Sequence, residues 1–322
     1  MDSRKLVMYI LMTVLVIAWG LDYVAAKICL DSLNVLILLF FRYLLAICVV
    51  YIIKTLVERK VRLRLRDVPL FVICAITGEL GYFYMEYTAM DYLSLSLLTL
   101  ILACVPIVSL LIEKIFFKRK ITSLMLAGVF GSLIGVSMII GADFSVLFDG
   151  KIFGYILAFG AVFSWNAYNF MTAKLHDHYS DATLSFYQIT CTAILTAPYA
   201  LTHMPPTSVF SAELALWMIF LGIFSAGLGF IIYVRALDVL GVTPTALFSN
   251  FLPISTTIFG WIFFGEMISP LQIIGGAVII SAACVVIWEK GRVDATAAAA
   301  REEAGSGSLP DGRQTDGEYV QD

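Results

Sequence analysis

Residues 89–130 read AMDYLSLSLLTLILACVPIVSLLIEKIFFKRKITSLMLAGVF, and residues 236–277 read ALDVLGVTPTALFSNFLPISTTIFGWIFFGEMISPLQIIGGA. Laid over each other at an offset of 147 positions without a gap, they share Ala89/Ala236, Asp91/Asp238, Leu100/Leu247, Pro106/Pro253, Phe116/Phe263, Phe117/Phe264, Leu124/Leu271 and Gly128/Gly275. Lys27 and Lys174 match at the same offset, and Trp19 and Trp165 at one position less. Leu and Ile coincide easily by chance in apolar sequence, whereas Pro, Asp, Trp and Lys do not. The chain therefore reads as two copies of one unit.

Each copy is apolar. Of the 322 residues, 60% are hydrophobic and 14% charged, against about 25% charged in soluble domains. Spans of about 20 mainly apolar residues fall near 6–29, 33–56, 68–90, 93–116, 122–142, 151–173, 183–203, 213–237, 243–264 and 270–288. The first runs from Leu6 to Cys29, longer than the roughly 7–15 apolar residues of a signal peptide, and is expected to be a retained spanning helix. Five spans per copy is an odd number, so the second copy enters the bilayer from the opposite side. The expected fold is an all-α membrane protein of ten transmembrane helices in two inverted five-helix repeats, residues 1–142 and 143–290, followed by a disordered tail over 291–322.

The basic residues give the expected orientation. With the N-terminus inside, the inner side receives eighteen Lys and Arg and the outer side only Lys27 and Lys151, while Arg42 lies within a span. Both termini are then cytoplasmic and the protein sits in the cell (inner) membrane. No basic patch beside exposed aromatics indicates nucleic acid. The six cysteines lie in or beside apolar stretches without CxxC spacing, which argues packing and not a disulfide framework. His176-Asp177-His178 reads as an exposed polar loop, so neither a metal nor a cofactor is expected.

Trp19-Gly20 in the first span, Arg42 in FFRYLLA, EYTAMDYLSLSLLTLILACVPIV (86–108) and FSNFLPISTTIFGWIFFGEMISPLQIIGGAVIIS (248–281) carry a resemblance to the drug/metabolite transporter superfamily, EamA type, over about residues 5–290. The resemblance implies ten helices around a central cavity lined by helices 1, 3, 4, 6, 8 and 9, with access alternating between the two sides. The sequence departs from the family pattern in carrying Glu79 and Glu86 in the third span and Asn166 in the sixth.

Those polar residues are the candidate site, because an ionisable residue inside a span is costly and calls for a partner. Glu79 and Glu86 stand two helical turns apart, on a face shared with Tyr82 and Phe83. Arg42 can pair with Asp22, Glu79 or Glu86. One arginine cannot neutralise three acids, which leaves a carboxylate for substrate or for coupling. The repeat equivalents of Glu79 and Glu86 are Ala226 and Tyr233, so the acids belong to one copy only. Trp19, Tyr23, Tyr82, Trp165 and Tyr233, with Asn166, Asn169 and Asn250, suit an amphipathic solute bearing an amine. Pro106 and Pro253, mid-span in equivalent helices, are candidate hinges.

The resulting expectation is a secondary transporter of an amino acid or amine-bearing metabolite, working by proton-coupled export, as a monomer or homodimer. The alternatives are an uptake carrier for a nucleotide-like, sugar or cationic metabolite, or a multidrug exporter. An intramembrane enzyme is the most distant reading, since the three histidines lie in or near loops. No GxxxxGK[ST] motif occurs.

Overall fold

The computed structural model describes residues 3–57, 63–93, 98, 101–140, 152–264 and 267–306. Arg59, Lys60, Arg62, Lys151, the Gly265-Glu266 pair and the tail beyond Ser306 lie outside the described residues. Among the described residues the chain is all helical, with no strand. The helices are α1 (Ser3–Leu30), α2 (Val35–Val57), α3 (Leu65–Ala89), α4 (Val105–Phe116), α5 (Ser123–Ile140), α6 (Ile152–Leu175), α7 (Asp181–Thr202), α8 (Ala212–Leu240), α9 (Val242–Leu247, Phe248–Phe251 and Leu252–Phe264) and α10 (Pro270–Ser306). Five of them, α1, α2, α3, α8 and α10, are each long and apolar enough to cross a bilayer.

The packing obeys the internal repeat. α1 lies against α8 and α9, and its counterpart α6 lies against α3 and α4. α2 packs on α7 and α8, while α7 packs on α2 and α3; α4 meets α9, and α5 meets α10. Exchanging the two halves maps this pattern onto itself. Leu6, Ile10, Val14 and Ile17 form an exposed apolar stripe on α1 while Met8, Met12 and Leu15 are buried. Such a surface is stable only against lipid, so exposed apolar area does not drive the helices together. Close packing and polar contacts do. Between α5 and α10 the backbones approach so closely that a Cβ on Gly135 would meet the Gly275 carbonyl at 2.7 Å, and the reverse.

Three helices are broken, and two of the breaks are repeat equivalents. α3 passes through a π-helical stretch over Ile76–Tyr82, and α8 through one over Phe220–Leu228. π turns are rare and concentrate at functional positions. In α9 a 3₁₀ turn, Phe248–Phe251, separates two α-helical pieces. Pro253 lies in the first turn of the second piece, and Pro106 lies in the first turn of α4. Neither therefore kinks a continuous helix, because the first turn needs no donor from proline. α10 continues to Ser306, through residues where the sequence predicts disorder. The run ATAAAAREEA is rich in strong helix formers and extends a helix already nucleated.

Contacts at one end of the bundle lock the halves together. Lys290 Nζ of α10 lies 3.2 Å from Glu113 Oε1 of α4, with both residues buried. Arg119 Nη1 is 3.6 Å from the same carboxylate. Tyr179 of the α6–α7 loop donates to Asp67 Oδ2 at 2.7 Å and accepts from the Arg64 N–H at 3.2 Å. Breaking a buried pair costs about 3–5 kcal/mol because one charge is left behind, whereas removing both charges is often neutral. Lys290→Ala is thus expected to lower the detergent melting temperature clearly, toward the lower end of that range because Arg119 remains. Glu113→Gln with Lys290→Met restores most of the loss; equal loss in both variants contradicts the pairing.

Candidate functional site

A small cavity lies between the two halves. α1 contributes Trp19, Asp22 and Tyr23, spaced to share one helical face. α2 contributes Arg42, α3 contributes Tyr82, Phe83, Glu86 and Tyr87, α6 contributes Trp165, and α9 contributes Ser249 from its 3₁₀ turn and Leu252 just after it. The cavity encloses about 30 Å³. A neighbouring one of about 20 Å³ shares Tyr23, Tyr82, Trp165, Ser249 and Leu252 and reaches Pro253. Each has room for about one water, against about 300–1,000 Å³ for a ligand pocket. This conformation is closed around its aromatic side chains.

Asp22 and Arg42 form the floor. Arg42 Nη2 is 3.0 Å from Asp22 Oδ1 and 3.1 Å from Ser225 Oγ of α8. Its Nη1 donates to Asp22 Oδ2 at 3.2 Å and to the Tyr87 hydroxyl at 2.9 Å. The Ser225 hydroxyl donates to Asp22 Oδ1, and the Tyr87 hydroxyl lies 3.4 Å from Oδ2. The Phe83 ring covers the guanidinium, with its centroid 4.5 Å from Cζ. Only a planar, forked cation can serve all these acceptors at once. The network draws on α1, α2 and α3 from the first half and α8 from the second, and it is electrically neutral.

Glu86 stands apart from that pair. Its Oε1 accepts from Tyr23 at 2.5 Å and from Tyr82 at 2.9 Å, and the residue is buried. Among the described residues Oε2 has no hydrogen bond, and it is not sealed off as a buried orphan. The aromatic walls interlock: Tyr82 meets Trp165 at 4.6 Å between ring centroids, Trp165 meets Tyr233 at 5.1 Å, and Trp19 meets Tyr233 at 5.4 Å. Trp19 Nε1 donates to the Ser225 carbonyl at 3.3 Å, so the π stretch of α8 anchors both Trp19 and Arg42. A carboxylate clamped by two phenols and walled by indoles suits a cation, and an exposed to desolvated cation–π contact contributes about 0.5–2 kcal/mol.

The structure separates several residues that the sequence grouped. Glu79 does not line the cavity. The π stretch takes more residues per turn than an α-helix, so a spacing of seven no longer returns to the same face. Glu79 is buried near Tyr43, Cys74, Tyr168 and Cys191, and its carboxyl oxygens have no hydrogen bond among the described residues. The Tyr168 ring crowds the adjacent Gly78, where a Cβ has no room. Asn166 is spent on structure: its Oδ1 accepts from Ser109 at 2.6 Å and its Nδ2 donates to the Val162 carbonyl at 2.9 Å. Asn250 ties α9 to α5 through Ser132 at 2.8 Å, and Asn169 accepts from Tyr233 at 3.0 Å. Ser225 and Ser249, not singled out from sequence, complete the site, and Phe83 and Tyr87 turn out to serve Arg42. Ser225 was visible as a polar residue in an apolar span, but its hydroxyl partner was not.

Comparison with known proteins accords with this architecture. The chain matches the model of the EamA-like transporter family over residues 6–141 and again over 152–288. It is 20% identical to the uncharacterized transporter YoaV of Bacillus subtilis over 263 residues, covering 81% of this chain and 90% of that protein. It is 22% identical to a probable terminal-alkyne amino-acid exporter of Streptantibioticus cattleyicolor over 227 residues, covering 70% and 75%. A solved crystal structure superposes with a TM-score of 0.73 at 18% identity, covering 88% of this chain and 98% of that one, which shows the shared fold. With both halves matching the same family model, the chain belongs to the EamA-like transporter family, a multi-pass, non-enzymatic membrane transporter of the drug/metabolite transporter superfamily.

Proposed function

We propose that this transporter moves a small amine-bearing metabolite by proton-coupled alternating access in the export direction. The observation that carries the substrate class is Glu86: one oxygen held by Tyr23 and Tyr82, the other left open, between Trp19, Trp165 and Phe83. The related amino-acid exporter supports both an amine-bearing substrate and export. The orientation read from the basic residues, with both termini in the cytoplasm of an inner-membrane protein, is part of the same proposal.

Alternating access needs elements that move at the midplane between the repeats. The π stretches of α3 and α8 and the 3₁₀ turn of α9 are those elements in this account, with Pro106 and Pro253 marking where the rigid second pieces begin. Glu79 lies within the α3 stretch, and its carboxyl oxygens have no hydrogen-bond partner among the described residues. A carboxyl in that position serves proton coupling without touching the substrate.

Two substitutions divide these roles in proteoliposomes. Glu86→Gln is expected to lower transport of amine substrates at least tenfold while leaving the melting temperature of the purified protein within a few degrees of wild type. Unchanged transport removes Glu86 from the site. Glu79→Gln is expected to leave substrate binding intact and to abolish the response of transport to a pH gradient; a retained response removes the coupling role.

A further inference from the structure

We infer that the cavity selects cationic amines lacking a free carboxylate over zwitterionic α-amino acids. The inference rests on the reading of Glu86 as the amine site and narrows it to one class. A zwitterion needs two poles in its site, an acid for the amine and a cation or several open donors for the carboxylate. The acid is Glu86. Among the described residues the one cation lining the cavity is Arg42, and it is already committed.

Its two terminal nitrogens donate three hydrogen bonds, to Asp22 Oδ2, Tyr87 and Ser225, and Nη2 also stands in the 3.0 Å ion pair with Asp22 Oδ1. The fifth donor, Nε, has no acceptor among the described residues, but it is sealed from any accessible surface. The Phe83 ring blocks one face of the guanidinium. Lys27, the next cation along α1, is exposed beyond the cavity and does not line it. Of the remaining donors, the Tyr23 and Tyr82 hydroxyls are spent on Glu86, the Tyr87 hydroxyl on Asp22 and Trp19 Nε1 on the Ser225 carbonyl, while the Trp165 indole lies against the Tyr233 hydroxyl. Among the described residues, Ser249 is the lining hydroxyl without a hydrogen-bond partner, and one neutral hydroxyl does not replace the hydration of a carboxylate.

The lining thus carries Asp22, Arg42 and Glu86 with a formal net charge of −1. A monovalent amine neutralises it. A zwitterion leaves the negative charge uncompensated and adds a buried carboxylate next to Glu86. Discrimination of this kind comes from an element that disfavours the competitor, here the absence of a free cation.

Three ligands with one ring and one amine test this on the purified full-length protein: phenethylamine, phenylalanine and phenylalanine methyl ester. Binding is measured by calorimetry and by thermal shift, for wild type and Glu86→Gln. The expected result is that phenethylamine and the ester bind comparably, phenylalanine binds at least tenfold more weakly, and Glu86→Gln loses the first two. Phenylalanine binding as tightly as phenethylamine overturns the selectivity and leaves the amine site standing. Binding of the ester at only the strength of phenylalanine also overturns it, because bulk and not charge then sets the preference. No binding of any of the three, or equal binding by Glu86→Gln, overturns the amine site itself and the inference with it.

Discussion

A buried arginine in an apolar bundle has to be answered by a carboxylate and by further hydrogen bonds, or the helices around it do not hold together. Here Arg42 is answered by Asp22 from α1, Tyr87 from α3 and Ser225 from α8, with Phe83 over its face. Four helices from both halves converge on one guanidinium. Because the pair is neutral and its terminal nitrogens are engaged, it positions the site without supplying charge to it. That role passes to Glu86, near the Ala89 end of α3 and held by its own two tyrosines. The floor and the carboxylate above it thus have separate duties, the first holding helices and the second meeting the solute.

In the proposed alternating-access cycle, the helix breaks are where such a site opens. An unbroken helix carries its side chains as a rigid body, whereas a π or 3₁₀ turn lets one piece rotate against the next. Ser225 sits in the π stretch of α8, Glu79 in that of α3, and Ser249 in the 3₁₀ turn of α9. Two helices that line the closed cavity, α3 and α9, and the α8 segment bonded to Arg42 therefore each carry a local break. At one end of the bundle, Lys290–Glu113 and Tyr179–Asp67 span the two halves, so in this conformation that end is tied shut by contacts that exposure to water weakens.

Much of this was legible in the residues. Coincident Pro, Asp, Trp and Lys revealed the repeat, and span length and parity led to ten helices in inverted halves. Arg42 announced itself as a buried cation needing an acid, but three acids were in reach and spacing alone did not choose Asp22. The expectation that Glu79 and Glu86 share a face assumed 3.6 residues per turn, and the π stretch between them removed that assumption. Its sequence, ITGELGY, carries no periodic signal that separates π from α. Asn166 and Asn250 looked like ligand groups because polar side chains in a span invite that reading. Their partners, Ser109 and Ser132, lie on other helices far along the chain, and only the assembled packing reveals them.

The central claim is that Arg42 and Asp22 serve each other and the helices, leaving Glu86 to meet the substrate. A double-mutant cycle with Asp22→Asn, Arg42→Met and the combined variant tests it, reading detergent stability and phenethylamine binding together. The account predicts a coupling larger than about 1 kcal/mol, with the combined variant more stable than either single one and still binding the amine within about threefold of wild type. A well-folded combined variant that no longer binds the amine, or single losses that simply add, would contradict it.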